Sequence, residues 1–409
     1  MKRRILLFIT VLTGIISNAQ TTGSVITGAG YTNSAYYKLS TGISDVYPLA
    51  SWDLAFYRVS AMAFATRVND AISVYQASNS VANWAAIDVA QQTTWKQLYN
   101  SEIQWDKGAI DNGSATYGWG EYNMANHHVT GTIVYVLKYA DGTYKKFKMD
   151  DYFGGYTFTY SSWNGTAWSA DTTYVLSNTK NPNNKFNYYS LVNNAEVVAE
   201  PASTDWDFVM TKYNTDLGVM YPVTGILTHP DIQVAKNSEP GGTGDASALN
   251  YSANINSVGY NWKTFNMTQN AYEVNSDMAY YLKYKNGTIY RLVFNSFEGT
   301  GTGITTFTYQ DVTSSLGTES FENKVSFGVF PNPSTDKKIN LVYDLPIGNT
   351  GANTVTVFSL TGAQVYQTNI DSATGFYNTS IDLGSLNSGT YLLKFDSGSY
   401  STLKKIILQ

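Results

Sequence analysis

Between residues 35 and 309 the chain carries the same pattern twice, in the same order, and this duplication limits its fold more than any other feature. "AYYKLS" (Ala35 to Ser40) precedes "SWDLAFYR" (Ser51 to Arg58), as "NYYSLV" (Asn187 to Val192) precedes "DWDFVMTK" (Asp205 to Lys212). "YGWGEYNM" (Tyr117 to Met124) is matched by "YNWKTFNM" (Tyr260 to Met267), and "YVLKYADGTYKKFKM" (Tyr135 to Met149) by "YYLKYKNGTIYRLVF" (Tyr280 to Phe294). The copies close on "YTFTY" and "TTFTY", and Trp119 to Gly142 spans 23 residues where Trp262 to Gly287 spans 25. Four blocks in one order and at one spacing mean a tandem duplication, with each copy a unit of one repeated plan.

The blocks read as strands. Asp141-Gly142 and Asn286-Gly287 supply the left-handed positions of tight turns between alternating runs, so each long block is a hairpin. Trp52 and Trp206 are expected to fill cores, while Asp53 and Asp207 are expected to hold backbone donors at strand ends. An aromatic share of 15% suits pleated, half-buried surfaces. The fold class is therefore all-β, with the first copy's middle longer and carrying the extra tryptophans Trp84, Trp95 and Trp105.

The two ends are addresses. "MKRRILLFITVLTGIISNAQ" opens with Lys2, Arg3 and Arg4, runs apolar from Ile5 to Ile16 and closes on Ser17-Asn18-Ala19, the pattern of a secretory signal peptide at residues 1–19. Losing its three basic residues takes the formal charge from −5 to −5 − 3 = −8, and no basic patch offers itself to nucleic acid. With no cysteine there is neither a disulfide nor a lipid-anchored thiol, and no second apolar run suggests a transmembrane segment in the mature chain. From residue 319 onward, alternating runs broken at Thr361-Gly362, Ser388-Gly389 and Ser397-Gly398 read as a small antiparallel sandwich. Its "VFPNPS" (Val329 to Ser334), "VFSLTGAQV" (Val357 to Val365), "IDLGSLNSGTYLLKF" (Ile381 to Phe395) and "KKIIL" (Lys404 to Leu408) closely resemble the type A C-terminal sorting domain of the type IX secretion system of Bacteroidetes. The resemblance implies export across the outer membrane to the cell surface or beyond, with residues 319–409 as the partner of the secretion machinery.

The duplicated region in turn resembles the haem-binding HmuY family of Bacteroidetes surface proteins. "YYSL…EVV…DWD" and "YYLKYKNGTIYRLVFNSF…GITTFTYQDV" carry the likeness, in two tandem domains at 20–180 and 181–318, the second fitting better. The resemblance implies all-β domains that trap haem with paired His or Met ligands. One ligand follows the "W-x-x-aromatic" strand by two residues, which falls on Met124 after Trp119 and Tyr122, and on Met267 after Trp262 and Phe265. A thioether is a credible soft ligand for haem iron. For the other ligand the sequence offers Met62 in the first copy and Met210, Met220 or His229 in the second, none at a matching place. His128 is a ligand candidate private to the first copy. His127 and His128, as neighbours on an extended segment, are expected to face apart. A methionine on the same strand face as an aromatic also reads as core filling, so both readings of Met124 and Met267 stand at this point.

Motifs of enzymatic chemistry are missing. There is no HExxH, GxSxG, phosphate loop or thiol nucleophile, and "DKGAIDNGS" (Asp106 to Ser114) lacks the spacing of a calcium loop. The sequence is thus read as an exported, non-enzymatic binding protein, with haem or a haemoprotein as the possible partner. A non-haem adhesive or glycan- or protein-binding surface module is the alternative.

Overall fold

The computed structural model describes residues 20–57, 65–177, 181–242, 244, 246–313, 326–345, 353–371, 375–397 and 400–409. The expected signal peptide and Met62 lie outside these residues. Strands joined by turns and short 3-10 segments make up the described chain, so the fold is all-β. Contacts divide it into two units that meet at residues 316 and 317.

The first unit holds two lobes whose sheets share a common strand order, to which lobe one adds an edge strand, Lys96–Leu98, and the joined pair Gly120–Tyr122 and Val129–Gly131. In lobe one the large sheet runs Thr172–Ser177, Gly155–Ser162, Tyr144–Tyr152, Val134–Lys138, Ser73–Ser78. In lobe two it runs Thr21–Ile26, Ile304–Asp311, Ile289–Phe297, Met278–Tyr284, Ile232–Ser238. Each is backed by a four-stranded sheet: Ala195–Val197, Phe186–Ser190, Leu54–Tyr57, Thr66–Val68 in lobe one, and Ile43–Pro48, Asn33–Lys38, Phe208–Asp216, Met220–Thr228 in lobe two. Apolar side chains from both sheets close each core. Phe56, Trp119, Phe158 and Tyr189 lie in the first, and Tyr37, Phe208, Trp262 and Phe307 in the second.

These lobes do not follow the sequence boundary at 180/181. The "AYYK" strand of the first copy pairs with the "FVM" strand of the second, Tyr37 opposite Phe208, whereas "FNYYS" pairs back onto "LAFY", Tyr189 opposite Leu54. Lobe one is therefore contiguous over about 52–200, and the N-terminal segment closes lobe two, with Thr21–Ile26 laid along Ile304–Asp311. Gly23 makes that closure possible: a Cβ there would come within 2.6 Å of the Phe307 ring. The expected role of the two aspartates is met across the same junction, whereas the core role expected of both tryptophans holds for Trp206 and not for Trp52. Asp207 accepts from Lys38 Nζ at 2.8 Å and Leu39 N–H at 2.7 Å, and Asp53 accepts from Val192 N–H at 3.2 Å and Ser190 Oγ at 3.3 Å. Trp206 is buried, while Trp52 stays partly exposed.

The two smaller sheets face one another, which is why their strands are buried on both sides and read as continuous apolar runs. Trp105, one of the extra tryptophans, sits in this seam. It packs on Phe186 and Trp206 at 5.8 and 6.1 Å and donates to the Thr228 carbonyl at 2.8 Å. Nearby, Ile255 N–H donates to the Ile103 carbonyl, and Asn256 Nδ2 donates to Glu102 at 2.9 Å, so the longer middle of the first copy is spent on joining the lobes.

The second unit is a seven-stranded sandwich of a three-stranded and a four-stranded sheet around Leu341, Tyr343, Val355, Val357, Leu393 and Phe395. Its motifs meet in space. Asn332 Nδ2 donates to the Lys405 carbonyl and Asn332 Oδ1 accepts from Ile407 N–H, while Ser334 N–H donates to the Ile407 carbonyl. "VFPNPS" and "KKIIL" are two sides of one hydrogen-bonded edge.

Candidate functional site

The two methionines singled out in the sequence occupy equivalent turns. Gly120–Tyr122 and Val129–Gly131 form one short hairpin, with Tyr122 opposite Val129; Lys263–Asn266 and Ala271–Val274 form the other, with Phe265 opposite Tyr272. The Asn before each methionine shapes the loop. Asn123 Oδ1 accepts from Ala125 N–H at 2.9 Å, and Asn266 Oδ1 accepts from Thr268 N–H at 2.9 Å and Gln269 N–H at 3.1 Å. The residue in the left-handed region is His127 (φ 63°) in one loop and Asn270 (φ 50°) in the other. His127 therefore matches Asn270, and His128 matches Ala271.

Between these anchors Met124 and Met267 point to solvent, 84% and 86% exposed. Core filling is excluded for both, because the strands end at Tyr122 and Asn266, before either methionine, and the two-residue periodicity stops there. Trp119 and Trp262 do face the cores, at 0% and 1% exposure. Exposed aromatics flank each tip, Tyr117 and Tyr122 in the first and Phe265 in the second. Lys263, at the base of the second hairpin, lies over the Trp262 ring at 4.6 Å and donates to the Thr224 carbonyl at 2.6 Å, and burial lowers its pKa to about 7.

The adjacent histidines have separate partners, but on a turn and not on the extended segment expected for them, His127 lying in the left-handed region. His127 Nδ1 meets the Tyr122 hydroxyl at 2.5 Å. His128 Nδ1 lies 2.8 Å from both Asp151 oxygens, and its ring stacks on Phe153 at 4.5 Å. An ionised carboxylate can only accept, so Nδ1 carries the proton and Nε2 is the ring's other nitrogen; such carboxylate-oriented imidazoles are common among metal ligands. Asp151 and Phe153 were not read from the sequence. A paired difference between copies could have revealed Asp151: where the first has His128 and Asp151, the second has Ala271 and Ser296 at the same register positions.

The other sulfur and imidazole candidates lie elsewhere. Met210 is buried in the second core, with the Thr305 hydroxyl 3.0 Å from its sulfur. His229 packs on Trp206 at 4.6 Å and lies 3.0 Å from Ser203 Oγ, and burial lowers its pKa to about 4. Among the described residues no group of three or more His, Asp or Glu side chains is placed to hold a metal ion. No described helix is long and apolar enough to cross a membrane.

Comparison with known proteins bears on the second unit. Residues 328–409 match the family model for the secretion system C-terminal sorting domain. That domain marks the chain for passage across the outer membrane to the cell surface or the extracellular space, through contact with the secretion machinery. No curated protein matches the chain.

Proposed function

We propose that the exported chain is a non-enzymatic binding protein of HmuY-like type, with two methionine-tipped hairpins as its contact elements. One observation carries this reading: the same turn in both lobes holds up a largely exposed methionine, where burial would have been the energetically ordinary outcome. A thioether in solvent is an adaptable, polarisable contact for apolar surfaces and a soft donor to haem iron. Haem is the ligand that the family resemblance supplies, with Met124 or Met267 as one axial ligand and His128, oriented by Asp151, as a further donor in lobe one.

Hemin titrated into residues 20–316 tests this. A saturable Soret shift that weakens in Met267→Ala and Met124→Ala supports haem, and a flat titration removes it. The alternative, adhesive contact with a protein or glycan, is favoured by how open both tips are and by the exposed Tyr117, Tyr122 and Phe265 beside them. It predicts that the same two substitutions reduce retention on a glycan or surface-protein array while hemin does nothing.

A further inference from the structure

The seam between the lobes ends in two equivalent places, and only one of them is closed. Beside Trp206, Asp231 pairs with Lys285 at 2.5 Å and with Lys185 at 3.4 Å, and His229 packs on the indole. Strand pairing and the repeated turns align these four residues with Ala71, Ala140, Asn33 and Asn69 at the other end. The correspondence at the turn is close: Asp231 N–H donates to His229 Nδ1, and Ala71 N–H donates to Asn69 Oδ1. The three charges paired beside His229 are thus replaced by two alanines and an asparagine at the Trp52 end.

The result is a groove of about 470 Å³, lined by Leu49, Trp52, Ala71, Ile72, Ala140 and Lys212, among others. It is walled from both lobes and is mostly apolar. Of its buried polar groups, Asp53 holds Val192 and Ser190 and Asn69 Nδ2 donates to the Leu49 and Trp52 carbonyls, while the Tyr31 and Tyr139 hydroxyls are buried without a hydrogen-bond partner among the described residues. Lys212 is the cation of the lining, which also includes the carboxylates of Asp53 and Asp141. Its ammonium lies 5.9 Å from the Tyr31 ring, and among the described residues no carboxylate pairs with it. An apolar chamber with one unmatched cation suits an amphipathic anion.

We propose that this groove binds a small amphipathic carboxylate of the medium-chain fatty-acid class, its apolar body against Trp52 and Ile72 and its carboxylate at Lys212. The site is separate from both hairpins, so it does not depend on the haem reading. Isothermal titration of residues 20–316 with dodecanoate, dodecanol and sucrose tests it. Dodecanoate should bind saturably, and Lys212→Met should weaken it by roughly five- to tenfold while leaving dodecanol unchanged, as expected for one charge-assisted contact. The double substitution Ala71→Asp with Ala140→Lys installs the pair that the closed end already accommodates. It should abolish binding with the melting temperature retained, and Met124→Ala with Met267→Ala should bind dodecanoate as the unaltered chain does. Absence of saturable binding, binding unaffected by the Asp/Lys pair, or preference for sucrose would each overturn the proposal.

Discussion

Lobe one and lobe two share a strand order, a buried tryptophan at the base of each exposed hairpin and an Asp at each junction, yet they are put together differently. Lobe one is a continuous stretch of chain; lobe two borrows its last three strands from the N-terminus. Equivalent sequence therefore does not mean equivalent dependence on the rest of the chain, and the difference can be measured.

The largest effect should come from cutting the chain. A fragment covering 52–200 contains every strand of lobe one and is expected to unfold cooperatively in urea. A fragment covering 201–316 lacks Thr21–Ile26, Asn33–Lys38 and Ile43–Pro48, exposes the Phe208 and Phe307 faces, and should gain strand-type circular dichroism only when residues 20–50 are restored. Cooperative folding of 201–316 alone would break the comparison.

Next come the junction carboxylates. Asp207 is buried and holds an ammonium as well as a backbone donor, so Asp207→Ala should cost about 3 kcal/mol in denaturant unfolding. Asp53 holds only neutral donors, and Asp53→Ala should cost about 1–2 kcal/mol. Equal losses would mean that Lys38 adds nothing to the second junction.

The lobes should also answer pH in opposite directions. In lobe one, burial raises Glu200 to about 8 and Asp111 to about 7, both above their ordinary carboxylate values. Their contribution is complete below about pH 4 and is lost as the pH rises to between 7 and 8. In lobe two, burial lowers His229 to about 4 and Lys263 to about 7, so stability is lost as pH falls, from 6.5 to 4 for the first and from 10.5 to 7 for the second. Thermal melts of 52–200 should show a fall from pH 5 to 8 that Glu200→Gln lessens, leaving the part due to Asp111. Melts of 20–316 should show a gain from pH 7 to 10 that Lys263→Met removes.

The smallest effect sharpens the hairpin comparison. His127 takes a left-handed conformation that Asn270 takes more readily in the other loop. His127→Asn should stabilise the chain slightly, by a few tenths of a kcal/mol, and leave any ligand binding through His128 intact.

Much of this was legible in the residues. The repeat, the Asp-Gly and Asn-Gly hairpins, the burial of Trp206, the capping role of Asp53 and Asp207 and the terminal sandwich follow from period-two patterning and turn chemistry, while Trp52, read as its core counterpart, lines the open groove instead. Strand partnership across the repeat was not legible, because "AYYK" and "NYYS" suit either "LAFY" or "FVMT" and no local signal separates the choices. The orientation of Met124 and Met267 was misjudged by the core-filling reading for a local reason: Asn123 and Asn266 start a turn where a continued strand would have carried the methionines to a defined face. The groove was hidden because Ala71 and Ala140 are 69 residues apart, and each is unremarkable until compared with Asp231 and Lys285.

The closing strand Thr21–Ile26 also sets a clock. Its partner, Ile304–Asp311, is made nearly three hundred residues later, which at about 5–20 residues per second is an interval on the order of 15–60 seconds. During that time lobe one has all it needs to fold, and Asn33–Lys38 can pair with Ile43–Pro48, while Thr21–Ile26 has no partner within reach. Order of assembly is thereby written into the connectivity: the middle of the chain folds first, and its beginning waits for its end.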